Sequence, residues 1–368
     1  MPDSVAACDS IPADSVVKPK GLIAKIIDYF GKSNRDTSNR KFDMSIIGGP
    51  HYSSDTKFGI GLVAAGFYRT NRTDTVTQPS NLSLYTDVTT SGFYMFGLRG
   101  DHIFNNDARR INYNVYFYSF PRKFWGIGYG HGINMDNASK YKELYFDASV
   151  DFLWRLQKSL YVGPAIQYAY VNARHRERPE LWEGDPRHLS TIGLGFRAQY
   201  DTRDNFTAPQ RGVLLQLEQR FCPAFLGNTY AFSYTDVRLC GYQSLWRDAV
   251  GAARFHGRLA YGTVPWDMLS TFGGSNSMRG YYEGRFRDKG EMDLTFELRQ
   301  HIWRRNGIVV WFGAGTVFPE LSKIQFRQIL PNCGIGYRWE FKKLTNVRLD
   351  FGLAKGETAF IFSINEAF

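Results

Sequence analysis

The 368-residue chain contains no run approaching the ~20 apolar residues that a membrane-spanning helix needs. Its mean hydropathy is −0.35. That excludes a bundle of transmembrane helices, but not a spanning β-barrel, whose alternating residues keep the average polar. Cysteine is scarce: Cys8, Cys222, Cys240 and Cys333 are the only four. None stands in a CxxC or in zinc-ligand spacing, so no metal centre is expected and all four read as structural or free. Cys222 and Cys240 fall on neighbouring expected strands, but a hairpin turning near Leu226 puts them at different heights. The seven histidines are scattered, and Gly273-Gly274-Ser275-Asn276-Ser277 is not a G-x-S-x-G elbow, because Ser follows Asn. With no phosphate loop either, neither enzyme chemistry nor a cofactor is expected. No apolar segment follows Met1-Pro2-Asp3, so no signal peptide is read. The chain is then either cytosolic or a mature form. Val5-Ala6-Ala7-Cys8 is a faint match to a lipoprotein box without the preceding hydrophobic stretch. Acidic residues are outnumbered 35 to 45, giving a net charge of +10. The basic residues are spread rather than clustered, so the charge fits a surface facing anionic lipid as well as a nucleic-acid partner and does not decide between them; no nucleic-acid partner is expected on the barrel reading below.

What the chain has is aromatics, glycine and alternation. The 29 Phe, 22 Tyr and 8 Trp fit aromatic girdles at two membrane interfaces, and equally a large soluble β protein. Residues 1–19 read as a polar tail. In residues 20–32, Leu22, Ile23, Ile26, Ile27 and Phe30 recur at helical spacing and predict one short amphipathic helix, which would plug a lumen or lie at an interface. A polar linker closes a first segment, 1–41. From Phe42 to Phe368 the period is two. Along 292–301, Met292, Leu294, Phe296 and Leu298 alternate with Asp293, Thr295, Glu297, Arg299 and His301. Val347, Leu349, Phe351 and Leu353 alternate in the same way with Arg348 and Asp350. An apolar face and a charged face carrying both signs suit a barrel with a hydrated, cross-linked lumen, although a soluble sandwich also alternates. About sixteen strands are expected, at 42–50, 57–69, 81–90, 92–104, 110–120, 142–155, 160–171, 188–200, 211–222, 228–245, 249–263, 291–301, 306–316, 328–340, 344–353 and 357–366. The fold class is all-β, a transmembrane antiparallel β-barrel.

The long connections are 121–141, 172–187, 264–290 and 317–327, which in such barrels lie outside, with short turns on the periplasmic side. One of them carries Gly273-Gly274, then Met278-Arg279-Gly280-Tyr281, in a polar run that cannot be a strand. This resembles the loop signature of the BamA/TamA superfamily of bacterial outer-membrane barrels, the surface antigen family. With strand 1 running outward, the loop is the sixth external one, where that family carries it. The resemblance implies a loop folded back into the lumen, with Arg279 meeting acidic wall residues; the inward acids nearby are Asp350, Glu297 and Asp293, of which Asp350 or Glu297 is the expected partner. Tyr200-Asp201-Thr202-Arg203-Asp204-Asn205, with Pro209 and Arg211-Gly212, is similar to a periplasmic turn of the family, and Gly334-Ile335-Gly336-Tyr337-Arg338 to a late strand. Phe360, Phe362 and Ile364 on one face, with terminal Phe368, resemble the C-terminal signal that targets such barrels for insertion. Two departures stand out. The ~40 residues before strand 1 are too few for a periplasmic POTRA domain. The family's Phe-x-Asp-x-Gly reads Trp311-Phe312-Gly313-Ala314-Gly315, so the usual acid is missing at Gly313.

The resemblance implies a bacterial outer-membrane location, contact with outer-membrane lipid and lipopolysaccharide, and a part in outer-membrane protein insertion, translocation or envelope assembly. It leaves two other functions open. One is a transport pore plugged by the motif loop and the N-terminal helix. The other is a structural barrel that does not transport, partnered by a second copy or by other envelope proteins.

Overall fold

A computed structural model describes residues 42–53, 57–70, 79–343 and 345–368. The expected helix of Leu22, Ile23, Ile26, Ile27 and Phe30 lies outside the described residues, as does Cys8. The strands run β1 (Phe42–Ser53), β2 (Lys57–Tyr68), β3 (Ser80–Thr89), β4 (Tyr94–Ile103), β5 (Arg109–Phe124), β6 (Ser139–Gln157), β7 (Leu160–Arg174), β8 (His188–Asp201), β9 (Gly212–Cys222), β10 (Phe232–Ser244) and β11 (Ala249–Gly262). Two-residue β12 (Ser270–Thr271) and β13 (Arg287–Asp288) pair with each other inside the long loop. Then follow β14 (Gly290–Trp303), β15 (Asn306–Phe318), β16 (Leu330–Lys342), β17 (Thr345–Ala354) and β18 (Glu357–Ile364). Apart from β12 and β13, these form one sheet of 16 strands in chain order, each antiparallel to the next.

The faces of this sheet are inverted relative to a soluble protein. On β14, Asp293, Thr295 and Glu297 are 1 %, 3 % and 4 % exposed, whereas Leu294 and Phe296 are 40 % and 39 % exposed. Arg348 and Asp350 on β17 are buried between exposed neighbours such as Phe351. Charge faces inward and apolar surface outward, which is stable only where hydrocarbon replaces water outside. The inward charges are paired across the wall. Arg220 Nη2 donates to Asp151 Oδ1 at 2.9 Å, and its Nε to Glu218 Oε1 at 2.7 Å.

The barrel is not closed. β1 and β18 stand at the two edges of the sheet, and among the described residues no pairing joins them. Cys222 pairs with Phe232 and Cys240 with Leu214, so the two thiols sit at different heights and are free. Strand ends shift by up to four residues from the sequence expectation, most at β5 and β10. β5 continues past Pro121, paired with Lys142, to Phe124, because Phe124 is buried among Trp182, Tyr141 and Trp266 in an aromatic cap at the external end. β10 starts at Phe232 rather than near 228. Asn228 instead uses its side chain as a strand residue would use its backbone, accepting from Ile192 N and donating to Ile192 O.

Candidate functional site: the motif loop on the lumen wall

The loop from Gly273 to Asp288 starts with a reversal that needs glycine. Gly273 and Gly274 have φ of +106° and +91°, the left-handed region that side chains avoid. Gly274 N then donates to Tyr281 O at 3.1 Å, and Tyr281 N to Met278 O at 3.2 Å, folding the segment into a knot. Met278 and Tyr281 point into an apolar cluster with Phe272, Phe286, Val317 and Leu330. Tyr281 Oη donates to Pro331 O at 2.8 Å and accepts from Lys355 N at 3.1 Å. These anchors leave Arg279 directed at the wall.

Arg279 is 1 % exposed. Its Nη1 donates to Asp350 Oδ2 at 2.6 Å and its Nη2 to Glu297. The guanidinium lies 3.8 Å from the centre of the Trp311 ring, a cation–π contact strengthened by burial. Asn332 Nδ2 donates to Arg279 O at 3.0 Å. Four consecutive strands, β14 to β17, therefore supply the seat. Asp293, also proposed for Arg279, is engaged elsewhere: it accepts from Arg254 Nη1 at 2.8 Å and from Ser277 Oγ at 2.9 Å. Strand register accounts for this. Asp293 lies opposite His256 on β11, four residues along β14 from Glu297.

The carboxylates are shared. Glu297 also accepts from Arg299 Nε at 2.9 Å, and Asp350 from Arg338 Nη1 at 2.6 Å. Arg338 Nε reaches Glu366 Oε2 at 2.8 Å, and Arg348 Nη2 donates to Asn276 Oδ1 of the loop at 3.1 Å. A buried carboxylate is tolerated only with such multiple donors. Small residues make room for the seat. A Cβ on Gly352 would stand 2.6 Å from Arg279 O, and one on Gly336 would stand 2.6 Å from Arg338 Nη1 and collide with the Asp350 carboxylate. Gly313, where the family's acid is missing, faces Asn332 Oδ1 at a hypothetical Cβ distance of 2.6 Å, and no acid is needed there because Asp350 and Glu297 hold the guanidinium.

The far end of the loop reaches β5. Tyr282 Oη accepts from Lys123 N of β5 at 3.2 Å, and Glu283 O from Arg122 Nη2 at 3.1 Å. Arg285 pairs with Glu357 and donates from Nε to Gly132 O at 2.7 Å. Arg287 Nη1 donates to Trp266 O at 3.0 Å. Burial in the loop lowers the basicity of both arginines.

Phe360 and Phe362 are exposed on the outer face of β18. Phe368 does not extend that row. The chain reverses at Asn365, with φ of +68°, and Phe368 packs on Tyr242 with ring centres 6.3 Å apart while its carbonyl accepts from Arg299 Nη2 at 3.0 Å. Ile364 is half-buried at the strand end. The turn Tyr200–Gly212 meets the same tail, with Glu366 N donating to Thr207 O at 3.2 Å. Glu366 and Arg299 were not singled out from sequence. Arg299 shares the inward phase of Glu297 and was findable; Glu366 depends on the reversal at Asn365, which no pattern announces.

Residues 94–368 match the Omp85 superfamily domain. No curated protein matches the chain. Among solved structures, BamA from Haemophilus ducreyi lacking POTRA domains 1-3 aligns at a TM-score of 0.54 and 14 % identity, covering 88 % of this chain and 68 % of that one. CdiB from Acinetobacter baumannii aligns at 0.52 and 12 %, covering 89 % and 60 %, and CdiB from Escherichia coli at 0.55 and 10 %, covering 88 % and 61 %. The chain thus spans about three-fifths of the length of the CdiB chains. At these identities the likeness concerns the fold, while the domain match spans most of the chain: this protein belongs to the Omp85 superfamily.

Proposed function

We propose that this protein is an outer-membrane barrel that assists insertion or translocation of other envelope proteins at the open edge between β1 and β18, with its lumen shut at rest by the Arg279 loop. One observation carries the reading: the loop is tied to β14–β17 through Arg279 and to β5 through Tyr282 and Glu283, so it spans the interior. A shut lumen leaves the edge as the route for clients. Lipid and lipopolysaccharide are the surroundings of such an edge, and other envelope proteins, or a second copy, its partners.

The test is single-channel recording in planar bilayers. The wild type stays silent, whereas Arg279→Ala opens intermittently, because removing one partner of a buried pair leaves uncompensated charge costing about 3–5 kcal/mol. Steady conductance by the wild type would refute the shut lumen and support a pore instead.

A further inference from the structure

A second cluster of titratable groups lies in the lumen wall beside the motif loop. On β11, His256 points inward. Its Nε2 lies 3.0 Å from Asp236 Oδ2 on β10. A carboxylate only accepts, so Nε2 carries the hydrogen and, in the neutral ring, Nδ1 carries the lone pair. That Nδ1 lies 2.5 Å from Glu291 Oε1 and 3.7 Å from Asp293 Oδ2 on β14. A lone pair and two carboxylates do not converge unless something positive lies among them. Ligand atoms of all three residues fall within 4.8 Å of one another.

The positive group is a proton on Nδ1 or a metal ion, and Glu291 distinguishes them. It is 0 % exposed, yet among the described residues its Oε2 has no hydrogen-bond partner and its Oε1 meets only His256. Nδ1 reaches only one of the two oxygens, Oε1. One proton on Nδ1 would serve Oε1 and leave the buried Oε2 unsatisfied at its desolvation cost. We infer that His256, Glu291 and Asp293 form a binding site for one first-row divalent cation of the zinc or manganese kind, held in the lumen wall beside the motif loop. One imidazole and two carboxylates suit those ions. Asp236 would act behind His256, fixing the tautomer and ring orientation as carboxylates behind metal-bound histidines do. Arg254, on Asp293 Oδ1 at 2.8 Å, offsets part of the negative charge. Ser277 Oγ donates to Asp293 Oδ2, so the cation and the loop would share one carboxylate. Occupancy would then hold the loop against the wall.

The experiment uses the full chain folded in detergent, stripped with a chelator and titrated with Zn²⁺. Metal content after desalting and the calorimetric isotherm are read together with tryptic cleavage of the loop. The expected result is one zinc per chain and slower cleavage at Arg279 with metal. His256→Ala and Glu291→Gln weaken binding by at least about tenfold, and Asp236→Asn by about 10–100-fold through the ring it orients. Heat-modifiable gel mobility shows which variants have folded. If His256→Ala fails to fold, Glu291→Gln, close in shape, carries the decision. A wild type that retains no zinc would identify the cluster as an imidazolium ion pair and overturn the site. Zinc bound equally by wild type and a folded His256→Ala would overturn it as well, because the metal would then sit elsewhere.

Discussion

Single side chains in this barrel are held by charge, and Asp267 shows what happens where the pairing is incomplete. It lies in the long loop after β11, and among the described residues its buried Oδ1 has no hydrogen-bond partner. Burial pushes its carboxyl up to about 7, and the Glu143 and Asp185 charges push the same way, against its own backbone amide and Arg287. The unfolded chain releases this proton near pH ~3.9. Between about 4 and 7 the folded state therefore holds more protons than the unfolded one, and stability falls as pH rises through that window. Asp267→Asn removes this slope. The variant should melt a few degrees above the wild type at pH 8 and close to it at pH 4, followed by circular dichroism in detergent. An equal difference at both pH values would mean that the carboxyl does not titrate in this range. Arg279 is the opposite case, with two carboxylates and a Trp ring on one guanidinium. Replacing it by Lys keeps the charge but loses the fork that reaches two acids at once.

Elements were readable where they obey one local rule. The alternation Asp293, Thr295, Glu297 against Leu294, Phe296 marks a strand and its faces with no further information. It failed where tertiary contacts override local signals. Pro121 reads as a strand end but is carried through by Phe124 in the aromatic cap, and the β12–β13 ladder exists only because its loop folds back on itself. The inward acids near Arg279 were legible in the sequence, with Asp350 and Glu297 expected ahead of Asp293. Which of them face the guanidinium depends on register and loop path, as the engagement of Asp293 with Arg254 shows. Glycines of the wall are the hidden half of the seat. Gly352→Ala puts a methyl 2.6 Å from Arg279 O and 2.8 Å from Gly280 N, both backbone atoms that cannot rotate aside. Overpacking of this kind costs about 1–3 kcal/mol. The loop of Gly352→Ala should therefore be cut by trypsin at Arg279 under conditions where the wild type resists. Gly241→Ala on β10, where a Cβ meets nothing within 4 Å, should behave as wild type. Equal resistance of both variants would show that the close approach does not hold the loop.

At the scale of the whole molecule the decisive feature is the unclosed edge. β1 has 12 residues and β18 has 8, so full pairing would still leave part of β1 over. The reversal at Asn365 takes the last residues away to Tyr242 and Arg299, and they cannot lengthen the match. An edge strand is a template for another strand, and in hydrocarbon its unmet backbone groups cost several kcal/mol each. Under the proposed function, a client strand arriving there would gain partners without any change in the lumen. Locking the edge while recording conductance separates the edge from the lumen. In a background with Cys8 and Cys333 replaced by serine, one cysteine is placed at Met44 or Ile46 and one at Phe360 or Phe362, all exposed on the outer face. A disulfide forms where Cα atoms approach to about 4.4–6.8 Å. Liposomes carrying the reduced barrel should fold an added, urea-unfolded eight-stranded outer-membrane barrel faster than empty liposomes do. The oxidised, edge-locked barrel should fold it no faster than empty liposomes, and reductant should restore the rate, while the bilayer conductance stays silent throughout. If the locked barrel accelerates folding as well as the reduced one, the edge is not the route and the barrel acts through some other part of its surface.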